Sequence, residues 1–140
     1  MLLHVIARGK LARSPEAELV ERYASRILWP LRLTELPERD GRIPNSQAPF
    51  RTVVLDERGR NLTSDELARQ LETWRDGAIR EVRFMIGAAD GHSDLDRAGA
   101  DLLLSFGAAT WPHLLVRAML VEQLFRATSI LAGHPYHRAG

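Results

Sequence analysis

Residues 81–91 read Glu81-Val82-Arg83-Phe84-Met85-Ile86-Gly87-Ala88-Ala89-Asp90-Gly91, an apolar-rich run that breaks directly into a glycine-containing turn. A run this short, bounded by a turn signal, reads as a buried strand. The same unit recurs on both sides. Residues 2–7 end in Arg8-Gly9-Lys10, residues 51–55 end in Asp56-Glu57-Arg58-Gly59, and residues 102–104 make a further strand. Leu31, Leu33 and Leu36 give a half-buried strand ahead of a polar loop over residues 37–49, with Asp40-Gly41 as its turn. Helix signals lie between the strands. Ser14 is an N-cap with Pro15 at the first helical position, Glu16 and Glu18 follow, and Leu19, Tyr23 and Ile27 form a core stripe that Pro30 stops. Thr63 or Ser64 caps a helix through Leu67, Leu71 and Trp74, and Ser93 caps a short one with Leu95 and Ala98 inward. Pro112 or His113 starts a long helix to about residue 131. This alternation predicts an α/β protein, one parallel sheet with helices on both faces, as a single domain over residues 1–140.

Composition narrows the chemistry. At 140 residues, 45% apolar and 26% charged, the chain has the makeup of one globular domain. The absence of cysteine excludes disulfides, thiolate zinc sites and cysteine nucleophiles. Arg8 interrupts the N-terminal apolar run, so no membrane segment is expected and a cytoplasmic location is. The net charge of +1 is uneven: residues 1–32 hold six basic and three acidic side chains, residues 33–101 ten and fourteen, and residues 102–140 three and one. Only Lys10 is a lysine, and guanidinium forks suit phosphate.

In parallel α/β sheets, ligands sit beyond the carboxyl ends of the strands. That rule selects residues 55–59, 87–91 and 106–111, none of which matches a dinucleotide fingerprint or a P-loop. The chain then closes with His134-Pro135-Tyr136-His137-Arg138, proton-handling and anion-binding groups at a terminus.

Five motifs in order resemble the ribosomal RNA large-subunit methyltransferase H family, pseudouridine N3 methyltransferases of the knotted SPOUT superfamily. They are Leu55-Asp56, the turn Ile86-Gly87-Ala88-Ala89-Asp90-Gly91, the run Thr110-Trp111-Pro112-His113-Leu114-Leu115-Val116-Arg117, then Val121-Glu122-Gln123-Leu124-Phe125-Arg126-Ala127 and the His134 to Arg138 ending. The resemblance implies a SPOUT-type sheet with a C-terminal trefoil knot, and a homodimer. It implies S-adenosyl-L-methionine held by Leu55, Gly87, Phe106, Gly107, Ala108, Ala109, Thr110 and Trp111. The implied substrate is a pseudouridine in the intersubunit hairpin (helix 69) of 23S ribosomal RNA on assembled ribosomes. Ala88, Leu114 and Phe125 depart from the family pattern, which usually has glycine, proline and tyrosine there.

A pseudouridine N3–H must lose its proton, so a base or an anion-stabilising cation is required. His113, Tyr136, His137 and Arg138 are the candidates, with Arg138 on phosphate or the anionic base. Arg8, Lys10, Arg13 and Arg117 are candidate RNA phosphate contacts. No third ligand cluster accompanies His134 and His137, so no metal is expected. Leu115, Met119, Leu124 and Ile130 read as core or dimer interface, Glu122 and Arg126 as an i, i+4 pair, Trp29 and Trp74 as packing at helix ends, His4 as a strand residue and His92 as a surface loop residue. The competing readings are a non-catalytic RNA- or ribosome-binding protein on the same scaffold, and a knotted methyltransferase with another RNA acceptor.

Overall fold

The structure, a computed structural model, describes residues 1–87, 92 and 94–138; the expected Ser93 cap, the inward Leu95 side chain and the Ala88 departure lie outside the described residues. Strands β1 (Leu2–Arg8), β2 (Leu31–Leu36), β3 (Phe50–Asn61), β4 (Glu81–Ile86) and β5 (Leu102–Ser105) form one all-parallel sheet in the order β2-β1-β4-β3-β5. Helices α1 (Pro15–Ala24), α2 (Ser64–Asp76), α3 (Asp94–Ala98) and α4 (His113–Leu131) alternate with the strands.

Local chemistry sets the helix starts. Ser14 Oγ accepts from the Ala17 amide at 3.1 Å. Thr63, rather than Ser64, caps α2: its hydroxyl accepts from the Glu66 amide at 3.0 Å while the Glu66 carboxylate accepts from the Thr63 amide at 2.9 Å. One helix boundary differs from expectation. Helix α1 ends at Ala24, not at Pro30, whose carbonyl accepts from the Leu3 amide at 2.9 Å at the start of the β1–β2 ladder. Trp29 therefore lies in the connection, under the Arg75 guanidinium at 5.2 Å, and ends no helix. Leu33 is 45% exposed because β2 is the sheet edge, with no strand beyond it.

Strand order explains how the faces are covered. A parallel crossover is right-handed, so connections running in one direction across the sheet fall on one face and those running back fall on the other. The β1–β2 and β3–β4 crossovers run one way, and α1, α2 and α4 share a single core with Leu3, Val5, Val53, Val82, Phe84 and Leu104. The β2–β3 connection runs the other way. Residues 37–49 lie over the opposite face, tied down where Arg83 donates to the Pro44 carbonyl and Glu81 Oε1 accepts from the Gln47 amide at 3.1 Å. The long helices are thus gathered on one face, where sequence reading distributes them over both.

The loop covers a charged network. His4, Glu81 and Arg83 are 0%, 0% and 8% exposed. His4 Nδ1 lies 3.3 Å from Glu81 Oε2, its Nε2 lies 2.7 Å from Thr34 Oγ1, and Arg83 Nε lies 2.9 Å from the same Glu81 oxygen. Burial pushes the His4 imidazole below its usual value against the pull of Glu81.

Strand β3 departs most from expectation. It does not end at Leu55 but resumes after a bulge, since Leu104 of β5 pairs with both Leu55 and Arg60. The residues between them bow out of the ladder as one excursion. Gly59 permits the return, because a Cβ there would stand 2.6 Å from the Leu103 carbonyl carbon and 2.7 Å from the Leu104 nitrogen. Backbone cannot yield as a flexible side chain does. Gly59→Ala is expected to cost about 1–3 kcal/mol, read as a lower denaturant midpoint; an unchanged midpoint would show that the β3–β5 contact is looser than this.

Candidate active site

A pocket opens between the β3 bulge and the carboxyl ends of β4 and β5. Leu55 to Arg58, Ile86-Gly87, and residues 104–107 and 109–113 close around one pocket of about 580 Å³, within the range that holds small organic ligands. Each of the three turns selected from sequence contributes to it, the second through Gly87, with residues 88–91 outside the described residues. Seven of the eight expected cofactor residues line it: Leu55, Gly87, Phe106, Gly107, Ala109, Thr110 and Trp111. Ala108 is exposed and stands outside the lining.

The 106–111 loop is held by its own polar groups. Ser105 Oγ donates to the Gly107 carbonyl at 2.7 Å and accepts from the Gly107 amide at 3.1 Å. Gly107 has φ +117° with nothing near a hypothetical Cβ, so glycine serves backbone conformation there and not space. Thr110 reaches across to Glu57 Oε2 at 2.8 Å, and Trp111 Nε1 donates to the Phe106 carbonyl at 3.3 Å. Apolar walls come from Leu55, Ile86, Leu104 and Val116.

One corner is polar. Arg97 Nη1 donates to Asp56 Oδ2 at 3.0 Å and to the His92 carbonyl at 2.6 Å. Burial would raise the Asp56 carboxyl, but the Arg58 amide and the Arg97 guanidinium outweigh it and hold it below the usual range. His92 lines this corner rather than lying on the surface as expected. Burial lowers its imidazole, and its Nε2 has no hydrogen-bond partner among the described residues. The turn after residue 55 marks Asp56 in the sequence, but nothing local marks His92 and Arg97, whose place in the site depends on Asp56 arriving from a distant strand.

Of the four candidate catalytic residues, only His113 reaches the pocket. The tail lies elsewhere, against α4. The Tyr136 hydroxyl donates to Glu122 Oε1 at 3.0 Å, its ring centroid is 4.4 Å from that of Phe125, and the Arg126 guanidinium sits over it at 4.8 Å. Arg126 also pairs with Glu122, as the spacing predicts, and donates to His137 Nδ1 at 3.1 Å, while His137 Nε2 is 3.6 Å from Asp65. Burial, then the Glu122 contact, pushes the Tyr136 phenol up to about 12. A phenol so raised is a hydrogen-bond donor at neutral pH, not a base. Arg138 is exposed beyond this cluster.

The expected RNA contacts divide. Lys10 and Arg13 are exposed at the β1–α1 loop, but Arg8 spends its Nη1 on the Pro37 and Asp40 carbonyls. Arg117 is a correction: it is 3% exposed, pairs with Glu35 Oε2 at 2.6 Å and donates to the Gly9 carbonyl at 3.1 Å. A guanidinium so enclosed staples α4 to the ends of β1 and β2 and presents nothing to phosphate. Burial works against the Glu35 carboxylate, yet the Leu11 amide and Arg117 hold its pKa below the usual range. Among the described residues no His, Asp or Glu cluster is arranged to hold a metal, and no helix is long and apolar enough to cross a membrane.

Fold and site together define a parallel α/β domain with a nucleotide-sized pocket built from strand-end loops and the start of the last helix. The chain belongs to the SPOUT methyltransferase family: the profile described as "Predicted SPOUT methyltransferase" matches residues 1–137. It is 72% identical to the ribosomal RNA large subunit methyltransferase H of Erythrobacter litoralis, and 67% identical to the protein of the same description from Novosphingobium aromaticivorans, over the full length of both chains in each case. A probable methylase family protein from Haemophilus influenzae shares the fold at 9% identity, with a TM-score of 0.65 over 98% of this chain and 70% of that one.

Proposed function

We propose that this protein transfers a methyl group from S-adenosyl-L-methionine to N3 of a pseudouridine in the intersubunit hairpin of 23S ribosomal RNA, acting as a homodimer on assembled ribosomes. The observation that carries the reading is the convergence of the β3 bulge, Gly87 and the loop after β5 on one pocket. The description of the full-length relatives supports the RNA substrate. The pocket fits the donor: apolar walls suit an adenine face, loop backbone suits its edge, and the His92 Nε2, without a partner among the described residues, and the Asp56 carboxylate suit N–H or O–H donors. When bound, S-adenosyl-L-methionine supplies an electrophilic methyl on sulfur.

The chain must then align the acceptor nitrogen and take its proton. We assign that step to His113, which lines the pocket. Tyr136 is held as a neutral donor, and both His137 nitrogens face Arg126 and Asp65. These two residues set the tail, which carries Arg138 outward. The tail packs against Glu122, about 13 Å along α4 from His113 at the helical rise per residue. A tail this far from its own pocket suits a two-fold pair in which Arg138 completes the partner's site, where it would steady a phosphate or the N3 anion. Family membership supports the trefoil threading of the C-terminal segment.

Calorimetric titration with S-adenosyl-L-methionine and mass mapping of the hairpin from a deletion strain test the reading. Saturable binding, with loss of one methyl from the hairpin in the deletion strain, is the expected result. Absence of binding at millimolar cofactor would point to a non-catalytic binder, and an unchanged hairpin to another acceptor.

A further inference from the structure

We propose that the indole face of Trp111 is the platform on which the acceptor nucleobase stacks. The proposal rests on the RNA methyltransferase reading above and assigns the side chain a partner distinct from the methyl donor. Of the three tryptophans, Trp29 lies under Arg75 and Trp74 packs on the core, both part-buried, whereas Trp111 is 42% exposed. It stands at the mouth of the pocket, separated from His113 only by Pro112. Its single polar atom is already used on the Phe106 carbonyl, which fixes the ring to the loop and leaves only its flat faces to offer. A large apolar surface in water is unfavourable unless something covers it on binding. A base turned out of its helix loses its stacking neighbours and gains from an aromatic replacement, whichever base it is. A rigid indole beside the proposed proton acceptor provides one.

The test uses the full-length protein, a pseudouridine-containing RNA hairpin as probe, and the variants Trp111→Phe and Trp111→Leu. Tryptophan emission of the wild type is expected to fall on RNA binding, and that change to disappear in Trp111→Phe. RNA affinity is expected to drop about 5- to 100-fold in Trp111→Leu and to stay close to wild type in Trp111→Phe, which keeps a stacking face but not the indole N–H. Calorimetric affinity for S-adenosyl-L-methionine is expected to fall less than RNA affinity in Trp111→Leu, because the 106–111 loop offers the donor its backbone as well as its side chains. Wild-type RNA affinity in Trp111→Leu, an equal loss of cofactor and RNA affinity, or an equal loss in both variants would overturn the proposal. So would dissociation of a dimer by Trp111→Leu, which would make the indole a subunit contact. Methyl transfer by the wild type to unmodified ribosomes, measured alongside, separates the two failures: transfer without a stacking defect removes only the platform, and no transfer removes the parent reading.

Discussion

Replacing Arg138 with alanine is expected to lower methyl transfer to ribosomes by about 10²- to 10³-fold, the cost of removing one donor aimed at developing negative charge. Folding and cofactor affinity should be untouched. The side chain is exposed and lies beyond the Tyr136–Glu122–Arg126–His137 cluster that fixes the tail, so its removal leaves no buried group unpaired. None of the pocket is built from it. Arg138→Lys keeps the charge but loses the planar fork, and an intermediate rate is expected. Single-turnover transfer with excess enzyme reads the effect without interference from product release. A wild-type rate in Arg138→Ala would remove the tail from the chemistry.

Glu81→Ala is expected to destabilise the fold by about 3–5 kcal/mol, since breaking a buried pair leaves an uncompensated charge. For a chain of this size the melting temperature should fall by about 10–20 °C. Three groups lose their partner together: the Arg83 guanidinium, the His4 ring and the Gln47 amide that anchors the 37–49 loop. Glu81→Gln should cost less, because the amide oxygen still accepts from Gln47. A melting temperature within two or three degrees of wild type for Glu81→Ala (about 1 kcal/mol or less) would mean that the network contributes little.

The same network sets a pH dependence. The His4 imidazole, facing Glu81, Thr34, Arg83 and Arg32, is held below its usual value by burial. The unfolded chain therefore takes up a proton at about pH 6.5 that the folded chain refuses, so stability is complete above that pH and falls as pH drops toward the folded value. His92 has the same sign. Thermal melts between pH 7.5 and 5 should show the loss, and His4→Gln should flatten part of it. The carboxylates Asp56 and Glu35, held low, add their loss only below their ordinary range near pH 4.

How much of this was legible in advance depends on the range of the signal. The strand over residues 81–86, the Ser14 and Thr63 caps and the Glu122–Arg126 pair are written within one turn or one pleat, and all appear where the residues predict. The strand-end rule also found the pocket, because in a parallel sheet the chain direction alone fixes which turns share an edge. The bulge in β3 was not legible, since Asp56-Glu57-Arg58-Gly59 has turn composition and only the pairing of Arg60 with Leu104 shows that the strand resumes. His92 has polar neighbours in sequence, the mark of a surface loop, while its neighbours in space include Asp56 and Arg97.

Sequence by itself determined the alternation of strands and helices, their caps and the residues of the three pocket turns, because periodicity, capping and turn chemistry act between near neighbours. Tertiary structure alone decided that Arg117 is a staple and not a phosphate contact, that the tail rests on α4 away from its own pocket, and that the long helices share one face. The physical reason is distance along the chain. The Arg117–Glu35 pair joins residues 82 apart, and whether a guanidinium meets a carboxylate or water at that separation is set by strand order, which local signals do not encode.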